Sequence, residues 1–319
     1  MSTNTNASDF SHRSVLLDET VGALRVKPDG VYVDCTAGGG GHSAEILRRL
    51  GPNGRLVLLD QDPDAIATLH ERFDADKRVA IVQTNFSAIR AALQQQGIDR
   101  ADGILADLGV SSHQLDTASR GFSFHADAPL DMRMSQSGVS AADLGNTCSQ
   151  EELARIFWQY GEEKCAKSIA RNIVLARADK PIETTTELAE LVKASIPARM
   201  RRTGGHPARR TFQALRIAVN GELEHLKTAL DEMFDCLSVG GRLAVITFHS
   251  LEDRMVKQKF ASLCKGCTCP PDFPVCVCGK TPRGQLPQKA VEPSETELER
   301  NPRARSARLR VIEKRKDED

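Results

Sequence analysis

Through its first third the chain alternates short apolar, β-branched runs with stretches whose apolar positions recur every three or four residues. Val31 to Asp34 reads as a strand. Four consecutive glycines, 38–41, follow it, and from Ser43 to Leu50 the positions Ala44, Leu47 and Leu50 share one helical face. The pattern then repeats: Arg55–Asp60, Val79–Gln83 and Gly103–Asp107 read as strands, and Asp62 before Pro63 marks a helix start. Ser14–Leu24 reads as a helix ahead of the first strand, separated from it by the turn Lys27 to Gly30. Strands alternating with helices predict a parallel, doubly wound α/β sheet.

The alternation stops near Leu115. From there to about Arg210 the sequence carries helical patterns such as Gln150–Trp158 and Ala166–Ala176, and the span is too long for a loop. The reading is an inserted helical subdomain, 116–210, between two parts of one core, 1–115 and 211–319. A long helix is expected from about Thr211 to Leu237, with Phe212, Leu215, Val219, Leu223, Leu226 and Leu230 as its apolar stripe and Gly240-Gly241 as its stop. Arg242–Phe248, Gln288–Val291 and Ala307–Ile312 are read as further strands, seven in all.

Composition adds two constraints. With a formal net charge of +0 over 319 residues, a nucleic-acid partner has to be met by local basic clusters rather than by a global field. The run from Pro197 to Arg210 is such a cluster, rich in arginine and free of acidic residues; it reads as a phosphate contact or as a solvated loop. No apolar run approaches a membrane span and the polar start lacks the features of a signal peptide, so a cytoplasmic protein without membrane contact is expected. Five of the nine cysteines, Cys264, Cys267, Cys269, Cys276 and Cys278, crowd into one segment. They could supply thiolates to a tetrahedral structural zinc, or be reduced surface thiols.

The candidate chemistry gathers at strand ends. A glycine loop after the first strand lets backbone approach a nucleotide-like cofactor, and Asp60 lies about twenty residues further on, where an acid at the tip of the second strand accepts from a ribose diol. Both dinucleotide oxidoreductases and methyltransferases share these features. Asp107, at the tip of the fourth strand before a short turn, separates them: an amino-methyltransferase needs an acceptor there to hold an amine in line with the methyl group. Methyl transfer from S-adenosylmethionine is therefore the favoured chemistry.

At this point the motifs His12–Glu19, Asp34–Ser43, Asp107–Ser112, Arg120–Phe124 with Pro129–Met134, His206–Gln213, Phe248–Arg254 and Asn301–Ser306 together resemble the MraW/RsmH family, the bacterial 16S rRNA cytosine-N4 methyltransferases. The resemblance spans nearly the whole chain in the family's order. It implies a Rossmann-like seven-stranded methyltransferase fold, S-adenosylmethionine as cofactor, and a cytidine of the decoding region of 16S rRNA in the small subunit as substrate. It also implies Gly40, Gly41, His42, Asp60, Phe86, Asp107 and Gln114 around the cofactor. One departure is His113, where the family carries proline before Gln114. Asp107 is the first candidate for the catalytic acceptor, with His249 and Asp131 behind it. Arg133, Arg209, Arg210, Arg303 and Arg305 are candidates for rRNA backbone. A methyltransferase for another amine, a noncatalytic RNA-binding assembly protein and a homodimer remain open.

Overall fold

Strand residues that are apolar on both sides build the centre of the molecule. The computed structural model describes residues 14–201, 205–266, 269, 275, 278, 279 and 281–317. Its first part runs α1 (Leu17–Leu24), β1 (Val31–Asp34), α2 (Gly41–Arg49), β2 (Arg55–Asp60), α3 (Pro63–Phe73), β3 (Val79–Gln83), α4 (Ile89–Gln95) and β4 (Ala101–Asp107). Val33, Val57, Leu59 and Ile104 face one apolar cluster, while Tyr32, Leu56, Leu58 and Leu105 face another. This period-two alternation with both faces apolar is the signature of a sheet covered by helices on each side.

A helical body follows: α5 (Ser112–Asp116), α6 (Ala141–Thr147), α7 (Gln150–Gly161), α8 (Ala166–Asp179), α9 (Thr185–Ser195), α10 (Ala198–Arg201) and α11 (Arg209–Asn220). Several of these helices start at capping boxes, including Ser111 with Gln114, Ser149 with Glu152 and Thr184 with Glu187. Leu153, Phe157, Ile169, Ile173, Leu188, Val192, Phe212 and Leu215 form a third apolar cluster, separate from the two on the sheet.

The chain then returns through α12 (Glu222–Asp235), β5 (Leu237–Thr247), α13 (Ser250–Leu263), β6 (Gly284–Gln285), α14 (Glu295–Arg300) and β7 (Arg308–Lys314). The sheet has seven strands among the described residues, in the order β3-β2-β1-β4-β5-β7-β6. The first five are parallel, whereas β7 runs antiparallel to β5 and β6 antiparallel to β7. Strand order reverses between β1 and β4. Ligands bind outside the carboxyl ends of strands at such a reversal, which here lies between the glycine loop and Asp107.

Three expectations are corrected. The single helix over 211–237 is two helices, broken at Gly221 in the left-handed region (φ 56, ψ 32). The break has a packing cause: Phe212, Ala214 and Leu215 face the helical body, whereas Leu226, Leu230 and Met233 face the sheet. The boundary expected at residue 211 thus falls inside α11. Gly240 and Gly241 do not stop a helix but lie within β5, near the irregular register between β4 and β5. Gln288–Val291, bracketed by Pro287 and Pro293, forms only a bridge from Val291 to Leu309, and Gly284–Gln285 is the strand that pairs with β7. Among the described residues no helix is long and apolar enough to cross a membrane.

Candidate active site

At the β1/β4 reversal lies a cleft of about 860 Å³ lined by Gly38, Gly39, Gly41, His42, Asp60, Phe86, Asp107 and Gln114. Asp60 ends β2 with its carboxylate stitched to the backbone on both sides: Oδ2 accepts from Gly38 N at 2.8 Å and Oδ1 from Asp62 N at 2.9 Å. The Gln61 backbone N–H also bonds to this carboxylate, which keeps capacity for one further donor from a ligand. Burial, opposed by these hydrogen bonds, raises its pKa above the usual carboxylate range. Phe86 opens a short 3₁₀ turn (Phe86–Ala88) that Asn85 caps, and its ring packs partly against the sheet cluster.

Gly40 is placed differently from the expectation. It caps α2 at φ 77 and faces away from the cleft, where an added Cβ would come within 2.6 Å of Phe73 Cε2. Gly38 and Gly39 take the cleft-facing places beside Gly41.

His42 is buried, and its Nε2 lies 3.0 Å from the carbonyl of Val15. Burial pulls its pKa down to about 4, so the ring is neutral near neutral pH. The carbonyl can only accept, so Nε2 carries the hydrogen and Nδ1 is bare, 3.8 Å from Asp107 Oδ2. That contact is not an ion pair.

Asp107 ends β4 with its own N–H donated to Thr36 Oγ1 at 2.6 Å. Its Oδ1 is buried and has no hydrogen-bond partner among the described residues. Burial first, then the negative charges of Asp34 and Glu252, push its carboxyl well above the usual range. An acceptor left unsatisfied in this way costs stability and is a place where a ligand could complete the set.

Gln114 is buried with both polar ends occupied: Nε2 donates to Asp62 Oδ2 at 2.7 Å and Oε1 accepts from Ser111 N at 3.0 Å. It shapes the wall of the cleft. The same Asp62 caps α3 and pairs with Arg120.

A second groove, of about 1040 Å³, runs between the helical body and the end of the sheet and shares Phe248 with the first cleft. The turn after β5 divides the two cavities, with His249 lining the groove and Glu252 the cleft. Arg209, Arg210, Arg254, Lys257 and Arg305 all line the groove. Arg210 donates to the carbonyl of Glu162 and Arg254 pairs with the Glu162 carboxylate, whereas Arg209, Lys257 and Arg305 make no ion pair with a described residue.

Not every candidate arrives at the site. Asp131 and Arg133 line neither cavity; they hold each other, with Arg133 Nη2 at 2.5 Å from Asp131 Oδ2. Arg133 also reaches the carbonyl of Gly138, so this pair closes a local loop outside both cavities. His249 is the N-cap of α13, its Nδ1 accepting from Glu252 N and its Nε2 lying 3.1 Å from Glu252 Oε1. Arg303 lines the first cleft and forks onto Asp116 at 2.6 and 3.0 Å. Of the five cysteines, Cys267 and Cys276 lie outside the described residues. Among the described residues, the His/Cys/Asp/Glu group whose ligand atoms all lie within 4.8 Å of one another is Glu222, His249 and Glu252.

Glu222 and its neighbours Arg216 and Asn220 also line the cleft, and sequence reasoning passed over them. Reading 211–237 as one uninterrupted helix hid the signal, which was Asn220-Gly221 at its middle: a helix break flanked by charged residues.

A doubly wound sheet with a glycine loop, an acid at the tip of β2 and an unsatisfied acid at the tip of β4 defines an enzyme that binds a nucleotide-like cofactor at the β1/β4 reversal. Comparison with known proteins makes this specific: residues 9–315 match the MraW methylase family, and the chain belongs to it. It is 54% identical over 309 residues to a protein of Lachnospira eligens, covering 96% of this chain and 98% of that one. It is 56% identical over 308 residues to one of Symbiobacterium thermophilum, covering 96% and 97% respectively. A protein of Clostridium botulinum strain Loch Maree is 54% identical over 308 residues, covering 96% and 99%. All three relatives carry the name ribosomal RNA small subunit methyltransferase H. The chain is thus a methyltransferase with the Rossmann-like seven-stranded fold that its motifs imply.

Proposed function

We propose that this protein transfers a methyl group from S-adenosylmethionine to the N4 amine of a cytidine in the decoding region of 16S ribosomal RNA. The observation that carries the reading is Asp107, an acceptor with a buried, unpartnered Oδ1 in a cleft that meets a basic groove at Phe248. The names of the relatives support a small-subunit rRNA substrate, and the motif resemblance supports cytosine N4 and the decoding region.

The cleft suits the cofactor in size and donor set, about 860 Å³ being within the usual range for such ligands. Asp60 would hold the ribose, Phe86 would face the adenine, and His42 and the Gly38–Gly41 loop would border the methionine end. When bound, S-adenosylmethionine supplies an electrophilic methyl group on a positively charged sulfonium. No described residue puts a counter-charge in contact with Asp107, so a cation in the cleft drives it toward its ionised, accepting form. In that form it orients an amine N–H. A cytosine amine is a poor nucleophile because its lone pair is delocalised into the ring, and orientation is the main help the chain can give. His42 is unsuited to the role of base, since its pKa lies near 4. Arg209, Lys257 and Arg305 are placed to meet phosphates in the groove, and a stacked target base would be turned out past Phe248.

The test is incubation of purified protein with methyl-labelled S-adenosylmethionine and small subunits from cells lacking the enzyme, followed by nucleoside analysis. N4-methylcytidine at one position is the expected product. Bound cofactor without that product refutes the reading, and label on an adenine or a protein amide reassigns the substrate.

A further inference from the structure

The break between α11 and α12 turns one guanidinium into the cleft. Arg216 lies in the last part of α11 and Glu222 opens α12, and their side chains form a forked pair: Nε to Oε1 at 2.8 Å and Nη2 to Oε2 at 2.9 Å. Both side chains are largely buried, at 16% and 10% exposed. The pair takes the inner edge of the fork, and Arg216 Nη1 has no hydrogen-bond partner among the described residues. Asn220 fixes the break itself, donating to the carbonyls of Arg216 and Met132 and accepting from Met134 N at 2.8 Å. The fork is thus a rigid set of donors in the wall of the cleft that also holds Asp107.

Phe248 borders the same space. It lies against the turn after β4, where a Cβ on Gly109 would sit 3.6 Å from its ring. Arg216 and Glu252 also interact electrostatically, as do Glu252 and Asp107, so the three groups share one neighbourhood.

We propose that Arg216, clamped by Glu222, reads the N3 and O2 edge of the target base, so that the site takes cytosine and refuses uracil. This rests on the cytidine reading above. Cytosine presents two acceptors, N3 and O2, beside its N4 amine, and arginine offers only donors. Uracil places an N3–H against those donors, leaving both unpaired in a buried site. Sites built around such hydrogen bonds reject the mismatched partner strongly. Glu222 keeps the guanidinium from turning toward solvent, which makes it a positioning residue.

The test uses full-length protein and small subunits rebuilt with 3-deazacytidine at the methylated position, which removes the N3 acceptor and keeps the amine. Wild type should show at least a tenfold loss in kcat/KM on the 3-deaza subunits, borne by KM. Arg216→Met should lower kcat/KM on natural subunits by a similar factor, lose no more on the 3-deaza subunits, and keep its affinity for S-adenosylmethionine within about twofold. Glu222→Gln should fall between. Equal wild-type activity on natural and 3-deaza subunits overturns the inference while leaving the cytidine reading intact. No N4-methylcytidine on natural subunits overturns both. The wild-type comparison decides even if Arg216→Met fails to fold.

Discussion

Arg120 Nη1 donates to Asp62 Oδ2 at 2.9 Å across a sequence separation of 58, with the two side chains only 9% and 4% exposed. The same nitrogen reaches Asp64, and Nη2 donates to the carbonyls of Arg133 and Met134 at 3.0 Å each. One guanidinium therefore joins the start of α3, two residues after Asp60, to the loop that leads into the helical body. Removing one partner of a buried pair strands the other, which costs about 3–5 kcal/mol. Arg120→Met should lose stability on this scale in urea unfolding. The double variant with Asp62→Asn should recover part of it, and simple additivity of the two losses would argue against the pair.

Asp34 and His42 should oppose each other in acid. Burial pushes the Asp34 carboxyl up to about 6, against the hydrogen bonds from Ser43 and Thr36, and the His42 ring down to about 4. Unfolded values are roughly 3.9 and 6.5. Between about pH 4 and 6 the folded chain holds an extra proton at Asp34, so this group makes stability fall as pH rises. Over the same window it lacks a proton at His42, so that group makes stability rise with pH. Each slope is about 1.4 kcal/mol per pH unit, and the two nearly cancel. Relative to wild type, Asp34→Asn should gain stability with rising pH and His42→Gln should lose it. Urea midpoints at pH 4.5, 5.0 and 5.5 measure both, and parallel curves for all three proteins would refute the assignment.

Asp107→Asn should leave the fold intact and lower kcat by roughly 10²–10⁴, the range for a lost acceptor in the transition state. A pH signature goes with it. Binding a cation favours the ionised carboxyl, so S-adenosylmethionine should release a proton and bind more tightly as pH rises, while the neutral product S-adenosylhomocysteine should respond less. Calorimetry in buffers of different ionisation enthalpy reads the proton directly. The difference between the two ligands should vanish in Asp107→Asn; if it persists, another group is responsible.

The glycine loop separates into two duties. Gly40→Ala puts a side chain at φ 77 against Phe73 and should cost about 2 kcal/mol or more in urea unfolding. Gly39 has open space around it and lines the cleft, so Gly39→Ala should unfold like wild type and bind the cofactor more weakly. The opposite pattern would reverse the assignment of the two residues.

Period-two apolar runs made the five parallel strands legible, because a strand covered on both faces has no polar alternation to confuse the reading. Asp60 and Asp107 were legible for a related reason: strand tips at a reversal converge whatever the intervening loops do. That Asp131 and Arg133 lie outside both cavities was not legible, because two oppositely charged residues two apart satisfy each other locally, and composition carries no sign of that. Arg216 and Glu222 were missed because their value comes from a helix break that redirects one face, which an apolar stripe continued across Gly221 concealed. His249 looked available for chemistry from its place after β5, yet that place is an N-cap, where the ring serves the first turn of α13.

The route of residues 295–314 ties closure of the cleft to the far side of the sheet. Glu297 accepts from Leu16 N at 2.7 Å, beside the Val15 carbonyl that holds His42, while Asn301 and Arg303 line the cofactor cleft and β7 seals β5. The Leu16–Glu297 bond spans 281 positions, so the walls begun by β1, β2 and β4 are closed by a segment far along the chain. Local opening of that segment would unseal the cleft while leaving the glycine loop and both acids in place, so ligand binding in the cleft and attachment of β7 to β5 should protect each other.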